Sequence, residues 1–109
     1  MIKSITREEL KERMEQGHKF HLVDVLAPET YENKHIKGAI NIPMTEMSKK
    51  ARKMFDLDDD IVVYCSGFSC KASPTAAKTL DDLGFTNVFD YEGGREDWEE
   101  AGLPIERKE

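Results

Sequence analysis

The stretch Ile61-Val62-Val63-Tyr64-Cys65-Ser66-Gly67-Phe68-Ser69-Cys70-Lys71-Ala72-Ser73-Pro74 constrains the fold more than any other part of the chain. Ile61 to Tyr64 are β-branched or aromatic, the composition of a buried strand. Ser73 and Pro74 are the residue types of a helix N-cap and a first helical position, so a helix is predicted to start there. Cys65 then lies where a strand ends and a helix is about to begin. At such a place backbone N–H groups converge and the helix dipole favours negative charge, which stabilises a thiolate or a bound anion.

The flanking segments supply a sheet for that strand. Thr6 and Glu9 form a capping box with Ile5 and Leu10 as its apolar staple, so a first helix is predicted from Thr6 to near Gly17. Phe20-His21-Leu22-Val23-Asp24-Val25 is too continuously apolar for a strand with one wet face and reads as a central parallel strand. It places Asp24 near the strand end where open α/β sheets bind ligands. The alternative for Asp24 is to bond neighbouring backbone N–H groups. Residues 28–33 suit one or two helical turns, and His35 to Pro43 a turn and a short strand. Met44, Met47, Ala51 and Met54 mark one face of a further helix, with the methionines as core filler. The acidic run Asp56 to Asp60 lacks the ligand alternation of a calcium loop. Ala76, Ala77, Leu80 and Leu83 continue the helix after the cysteine loop, Asn87 to Tyr91 form a strand, and Arg95 to Ala101 a last helix around Trp98. Strands alternating with helices over short loops predict an α/β domain with a mainly parallel sheet.

A chain of 109 residues leaves room for one domain, 1–109. Its formal net charge of -6 argues against nucleic acid or anionic membrane as a general partner. No apolar stretch is long enough to span a bilayer, and Met1 to Ile5 form no apolar signal segment, so a cytoplasmic location is expected. Two cysteines are too few for a disulfide framework. With His18, His21 and His35 scattered, no zinc spacing is present and no metal or cofactor is expected.

Three stretches in order resemble the rhodanese-like domain family. They are Leu22-Val23-Asp24-Val25 through His35 to Pro43; Val62-Val63-Tyr64-Cys65; and Leu83 to Val88 through Gly93-Gly94, Trp98 and Ala101 to Pro104. The resemblance implies a five-stranded, mainly parallel sheet with helices on both faces. It also implies sulfane-sulfur transfer from a thiosulfate-like donor, through a Cys65 persulfide, to a thiol or cyanide acceptor. Ser66, Gly67, Phe68, Ser69, Cys70 and Lys71 would line the anion cradle, chiefly through their backbones.

The lettering departs from the family pattern. Gly67 stands two residues after Cys65 rather than three, Cys70 occupies the place of a frequent arginine, and Leu26 follows Asp24-Val25 where another is frequent. Cys70 is therefore a candidate resolving thiol or a structural one, and Asp24 and Ser73 are possible accessory groups. The competing readings are a dithiol redox, arsenate reductase or phosphatase-like enzyme using Cys65 and Cys70, and a sulfur-delivery or protein-interaction module. Cys65, five residues, then Lys71 resembles the cysteine-x5-arginine pattern of phosphatase-like relatives, but lysine lacks the bidentate fork that pattern uses on an oxyanion. The partners expected are a small sulfur donor and a thiol or protein acceptor, with the chain itself a monomer.

Overall fold

The computed structural model describes residues 2–108. In chain order the elements are β1 (Ile2–Ser4), α1 (Arg7–Glu15), β2 (His21–Asp24), α2 (Pro28–Asn33), β3 (Lys34–Ile36), β4 (Ile40–Asn41), α3 (Met47–Met54), β5 (Asp60–Tyr64), α4 (Ala72–Asp82), β6 (Asn87–Tyr91), α5 (Gly94–Glu100) and β7 (Ile105–Arg107). A five-stranded sheet runs β1-β6-β5-β2-β4, and every neighbouring pair in it is parallel. β5 is the central strand, so the cysteine loop leaves from the middle of the sheet.

Alternation along the strands divides the core into two layers. Val23, Val25, Ile61, Val63, Cys65 and Val88 point to one face, where Met47 and Ala51 of α3 and Ala76, Ala77 and Leu80 of α4 cover them. Leu22, Val62, Tyr64 and Tyr91 point to the other, packed with Leu10 of α1 and Trp98 of α5. The small alanine face lets α4 lie close to β5 and β6. Helices thus cover both faces of a parallel sheet.

Local signals explain the element ends. Thr6 Oγ1 accepts from the Glu9 N–H at 3.1 Å and Glu9 Oε1 from the Thr6 N–H at 2.9 Å, closing the capping box. Ile5 and Leu10 are both buried beside it. Met54 departs from expectation: it is 48% exposed, because α3 ends there and Phe55, 6% exposed, turns into the core instead. Two pairings go beyond the strands read from the residues. β1 joins the sheet edge beside β6, and β3 pairs antiparallel with β7 in a separate two-stranded sheet. His35 is built into that second sheet, with Nδ1 2.8 Å from the Tyr31 carbonyl oxygen and its ring stacked on Tyr31. No helix among the described residues is long and apolar enough to cross a membrane.

Candidate active site

β5 ends at Tyr64, and residues 65–71 form the loop that leads into α4. Cys65 is 1% exposed at the loop's base. The Ser73 N–H, in the first turn of α4, donates to Cys65 Sγ at 3.4 Å. This corrects the expected helix start: the N-cap is Lys71, and Ser73 and Pro74 lie inside the first turn. Pro74 is tolerated there because first-turn N–H groups have no intrahelical acceptor. Ser73 is thus released from capping, buried, with its hydroxyl against the Cys65 sulfur and the Asp90 carboxylate.

The other side of the loop is fixed by α5. The Cys65 and Ser66 carbonyls accept from the Arg95 and Glu96 N–H groups, each at 2.9 Å. A trans peptide points its N–H opposite to its C=O, so these bonds turn the Ser66 and Gly67 N–H groups away from α5. The Ser66 N–H is in hydrogen-bonding range of Cys70. Gly94 makes the close approach possible. It has φ +65°, and a Cβ there would stand 2.5 Å from the Cys65 carbonyl oxygen and 2.8 Å from Gly67 N. From the sequence, Gly93-Gly94 belong to the family resemblance and Arg95 opens the last helix, but neither is placed against the Cys65 loop.

The remaining loop residues divide by direction. The Cys70 N–H donates to the Gly67 carbonyl at 3.1 Å, a turn that folds the loop back and occupies one of the N–H groups expected in the cradle. Phe68 is 77% exposed, and Ser69 and Lys71 also face solvent. Cys70 is half-buried against the core layer that contains Cys65, and both thiols are free.

The two sulfurs divide the local electrostatics. Burial pushes the Cys65 thiol up, and Cys70 adds to this, against the opposing Ser73 hydroxyl and N–H. Burial also acts on Cys70. There it is outweighed by the Cys65 thiol and the Ala72 and Ser66 N–H groups, so Cys70 is held below the ordinary thiol value.

Asp24 lies outside this constellation. It is fully buried at the end of β2, but its partner in register is Tyr64, so its side chain faces the α1 and α5 layer, opposite Cys65. Its Oδ1 accepts from the Leu26 N–H at 2.9 Å, and Oδ2 has no partner. Burial raises its carboxyl above the ordinary range, opposed by that N–H, the Tyr64 hydroxyl and the Arg95 and His35 charges. The carboxylate on the cysteine face is Asp90 of β6, in register with Val63 and 6% exposed. Its Oδ1 also lacks a partner. An Asp at an inward-alternating position between Val88 and the turn was the available signal for it.

A family model for the rhodanese-like domain matches residues 6–101. The chain belongs to the rhodanese-like domain family. Over 103 residues it is 41% identical to the HTH-type transcriptional regulator Rv0324 of Mycobacterium tuberculosis, covering 94% of this chain and 44% of that protein. This rhodanese-like domain thus spans less than half the regulator's length. It is 37% identical over 78 residues to the thiosulfate sulfurtransferase PspE of Escherichia coli, covering 71% of this chain and 72% of that one. Among solved structures, the rhodanese-like domain of the Alr3790 protein from Anabaena superposes with a TM-score of 0.89 at 30% identity, covering 99% of this chain and 81% of that one.

Proposed function

We propose that this rhodanese-like domain is a sulfurtransferase that carries sulfane sulfur on Cys65. The observation that supports this most directly is the Ser73 N–H aimed at the Cys65 sulfur from the first turn of α4. Sulfur bound there sits at the positive end of a helix, between turned-in loop N–H groups and a sheet that excludes water. Similarity to PspE, a thiosulfate sulfurtransferase, points the same way.

The Cys65 thiolate, its proton lost to solvent, attacks the outer sulfur of thiosulfate. The sulfur–sulfur bond of the donor breaks, sulfite leaves with the bonding pair, and Cys65 holds a persulfide. A thiolate or cyanide then attacks the persulfide's outer sulfur, leaving as a new persulfide or as thiocyanate and returning the Cys65 thiolate. The loop carries no arginine, so it lacks the planar fork that suits an oxyanion ester.

The test is thiocyanate production from thiosulfate and cyanide. Wild-type protein is expected to turn over and Cys65→Ser to fall to the uncatalysed background with an unchanged melting temperature. Turnover retained in Cys65→Ser, or absent from a folded wild type with thiosulfate and with inorganic polysulfide as donor, overturns the proposal.

A further inference from the structure

The sulfur-transfer cycle uses one cysteine, but the loop holds two. The Gly67 to Cys70 turn folds the chain back so that the second thiol packs against the same core layer as the first. Both lie between the end of β5 at Tyr64 and the start of α4 at Ala72, so a bond between them requires no strand or helix to open. Their exposure differs. Cys65 is 1% exposed, whereas Cys70 is half-buried beside the exposed Phe68 and Ser69.

Resting on the sulfurtransferase reading above, we propose that Cys70 resolves the Cys65 persulfide, releasing sulfide and closing a Cys65–Cys70 disulfide that a dithiol reductant reopens. The Cys70 thiolate attacks Cys65 Sγ and the bond from that sulfur to the outer sulfur breaks. The outer sulfur departs with the electron pair and takes up a proton from solvent, leaving as hydrosulfide. The two cysteine sulfurs are oxidised by two electrons in total, and the sulfane sulfur is reduced by two. A dithiol then opens the disulfide by two exchange steps, restoring both thiols and becoming a disulfide itself. The net reaction converts thiosulfate and a dithiol into sulfite, sulfide and oxidised dithiol, an activity beyond transfer to an acceptor.

The surroundings suit each partner to its step. The Ala72 and Ser66 N–H groups favour the thiolate on Cys70, and an attacking thiol is most effective when its ionisation lies near ambient pH. The departing sulfur is the one in the water-excluded cradle, next to the loop N–H groups that favour its negative charge. Once formed, the disulfide presents its half-buried sulfur, Cys70, to a reductant, with the more deeply buried Cys65 sulfur behind it.

The experiment incubates the full chain, reduced and then freed of reductant, with thiosulfate under argon, followed by acid quench, alkylation and intact mass measurement alongside sulfide and sulfite assays. Wild type is expected to release sulfite and sulfide together and to end lighter by two hydrogens, with neither cysteine alkylated. Cys70→Ser is expected to release sulfite only and to end heavier by one sulfur, its sulfide release slowed about a hundredfold, as loss of an intramolecular nucleophile predicts. Cys70→Ala is run beside it, and both are checked for native melting behaviour. A wild type that keeps its persulfide with Cys70 alkylated, or that places the extra sulfur on Cys70, overturns the inference while leaving sulfur transfer intact. If thiosulfate releases sulfite from neither protein, the donor reading fails instead, and inorganic polysulfide, which loads Cys65 without sulfite chemistry, replaces it. With that donor, disulfide and sulfide in wild type uphold resolution by Cys70, and a stable persulfide refutes it.

Discussion

Asp24 and Asp90 occupy closely similar places in the sheet. Asp24 is the last residue of β2 and Asp90 the last but one of β6, the two strands that flank β5; each is buried, and each has one carboxylate oxygen without a partner. Their surroundings nonetheless have little in common. Asp24 is in register with Tyr64 and faces Arg95 and His35, while Asp90 is in register with Val63 and faces Ser73, which touches Cys65. One residue of offset along the central strand separates a carboxylate of the scaffold from one at the reactive sulfur, because side chains alternate with period two. Proximity to the ligand-binding edge is therefore not enough. The face must match as well.

The strongest way to break this separation is through Gly94, where the Asp24 face presses on the back of the cysteine loop. Gly94→Ala places a methyl 2.5 Å from the Cys65 carbonyl oxygen in a left-handed conformation, and the obstructing atoms are backbone with no side chain to swing aside. The loop must move or α5 must withdraw. Thiocyanate formation is expected to fall about a hundredfold, the scale of a 1 Å misplacement of a reacting group. Stability should fall by at least about 1 kcal/mol from the backbone conformation alone. A variant with wild-type turnover would show that the α5 contacts do not position Cys65. Gly67→Ala provides the milder control, since its Cβ would meet the flexible Glu96 side chain at 2.8 Å.

A smaller effect distinguishes the two carboxylates directly. Asp90→Asn removes a negative charge beside Ser73 and lets the Ser73 hydroxyl turn its proton toward Cys65. Both changes favour the Cys65 thiolate. In a Cys70→Ser background, where Cys65 is the one remaining thiol, iodoacetamide is expected to label Cys65 about three- to tenfold faster at a fixed pH below its midpoint. Asp24→Asn in the same background should leave that rate unchanged. Equal acceleration by both substitutions would mean that charge, and not the face of the sheet, governs the sulfur.

How far the chain reveals this arrangement depends on how local each signal is. The strand Ile61 to Tyr64 and the cysteine after it are legible because β-branched composition and a following helix are properties of adjacent residues. The capping box at Thr6 is legible for the same reason. The start of α4 was misplaced by two residues, because Ser73 has the chemistry of a cap but is held in the helix by a non-local contact with Cys65. Three-residue strands such as β1, β3 and β7 are too short to establish an alternating pattern. Arg95 and Gly94 act on the loop from α5, a link between segments distant in sequence, so no local pattern announces it. The placement of Asp24 on the far face follows only once the two core layers are assigned.

The smallest predicted effect concerns stability and tests whether Asp24 belongs to the scaffold alone. Burial raises its carboxyl above the ordinary range, so the folded chain holds that proton more tightly than the unfolded one. Stability from this group is therefore fully present below the ordinary Asp range and lost as pH rises through the raised folded value. At neutral pH wild type carries the cost of a buried carboxylate with one unpartnered oxygen, partly offset by the Leu26 N–H and the Arg95 charge. Asp24→Asn keeps an acceptor for the Leu26 N–H and removes the charge. Denaturant titrations are expected to find it more stable than wild type at pH 7, by less than about 1 kcal/mol, with the advantage shrinking as the pH falls below the ordinary carboxylate range. A loss of stability at pH 7 that disappears in acid would reverse the sign and identify the Arg95 interaction as the dominant one. Asp24 would then hold α5, and with it the back of the Cys65 loop, through charge, joining the two faces that the register sets apart.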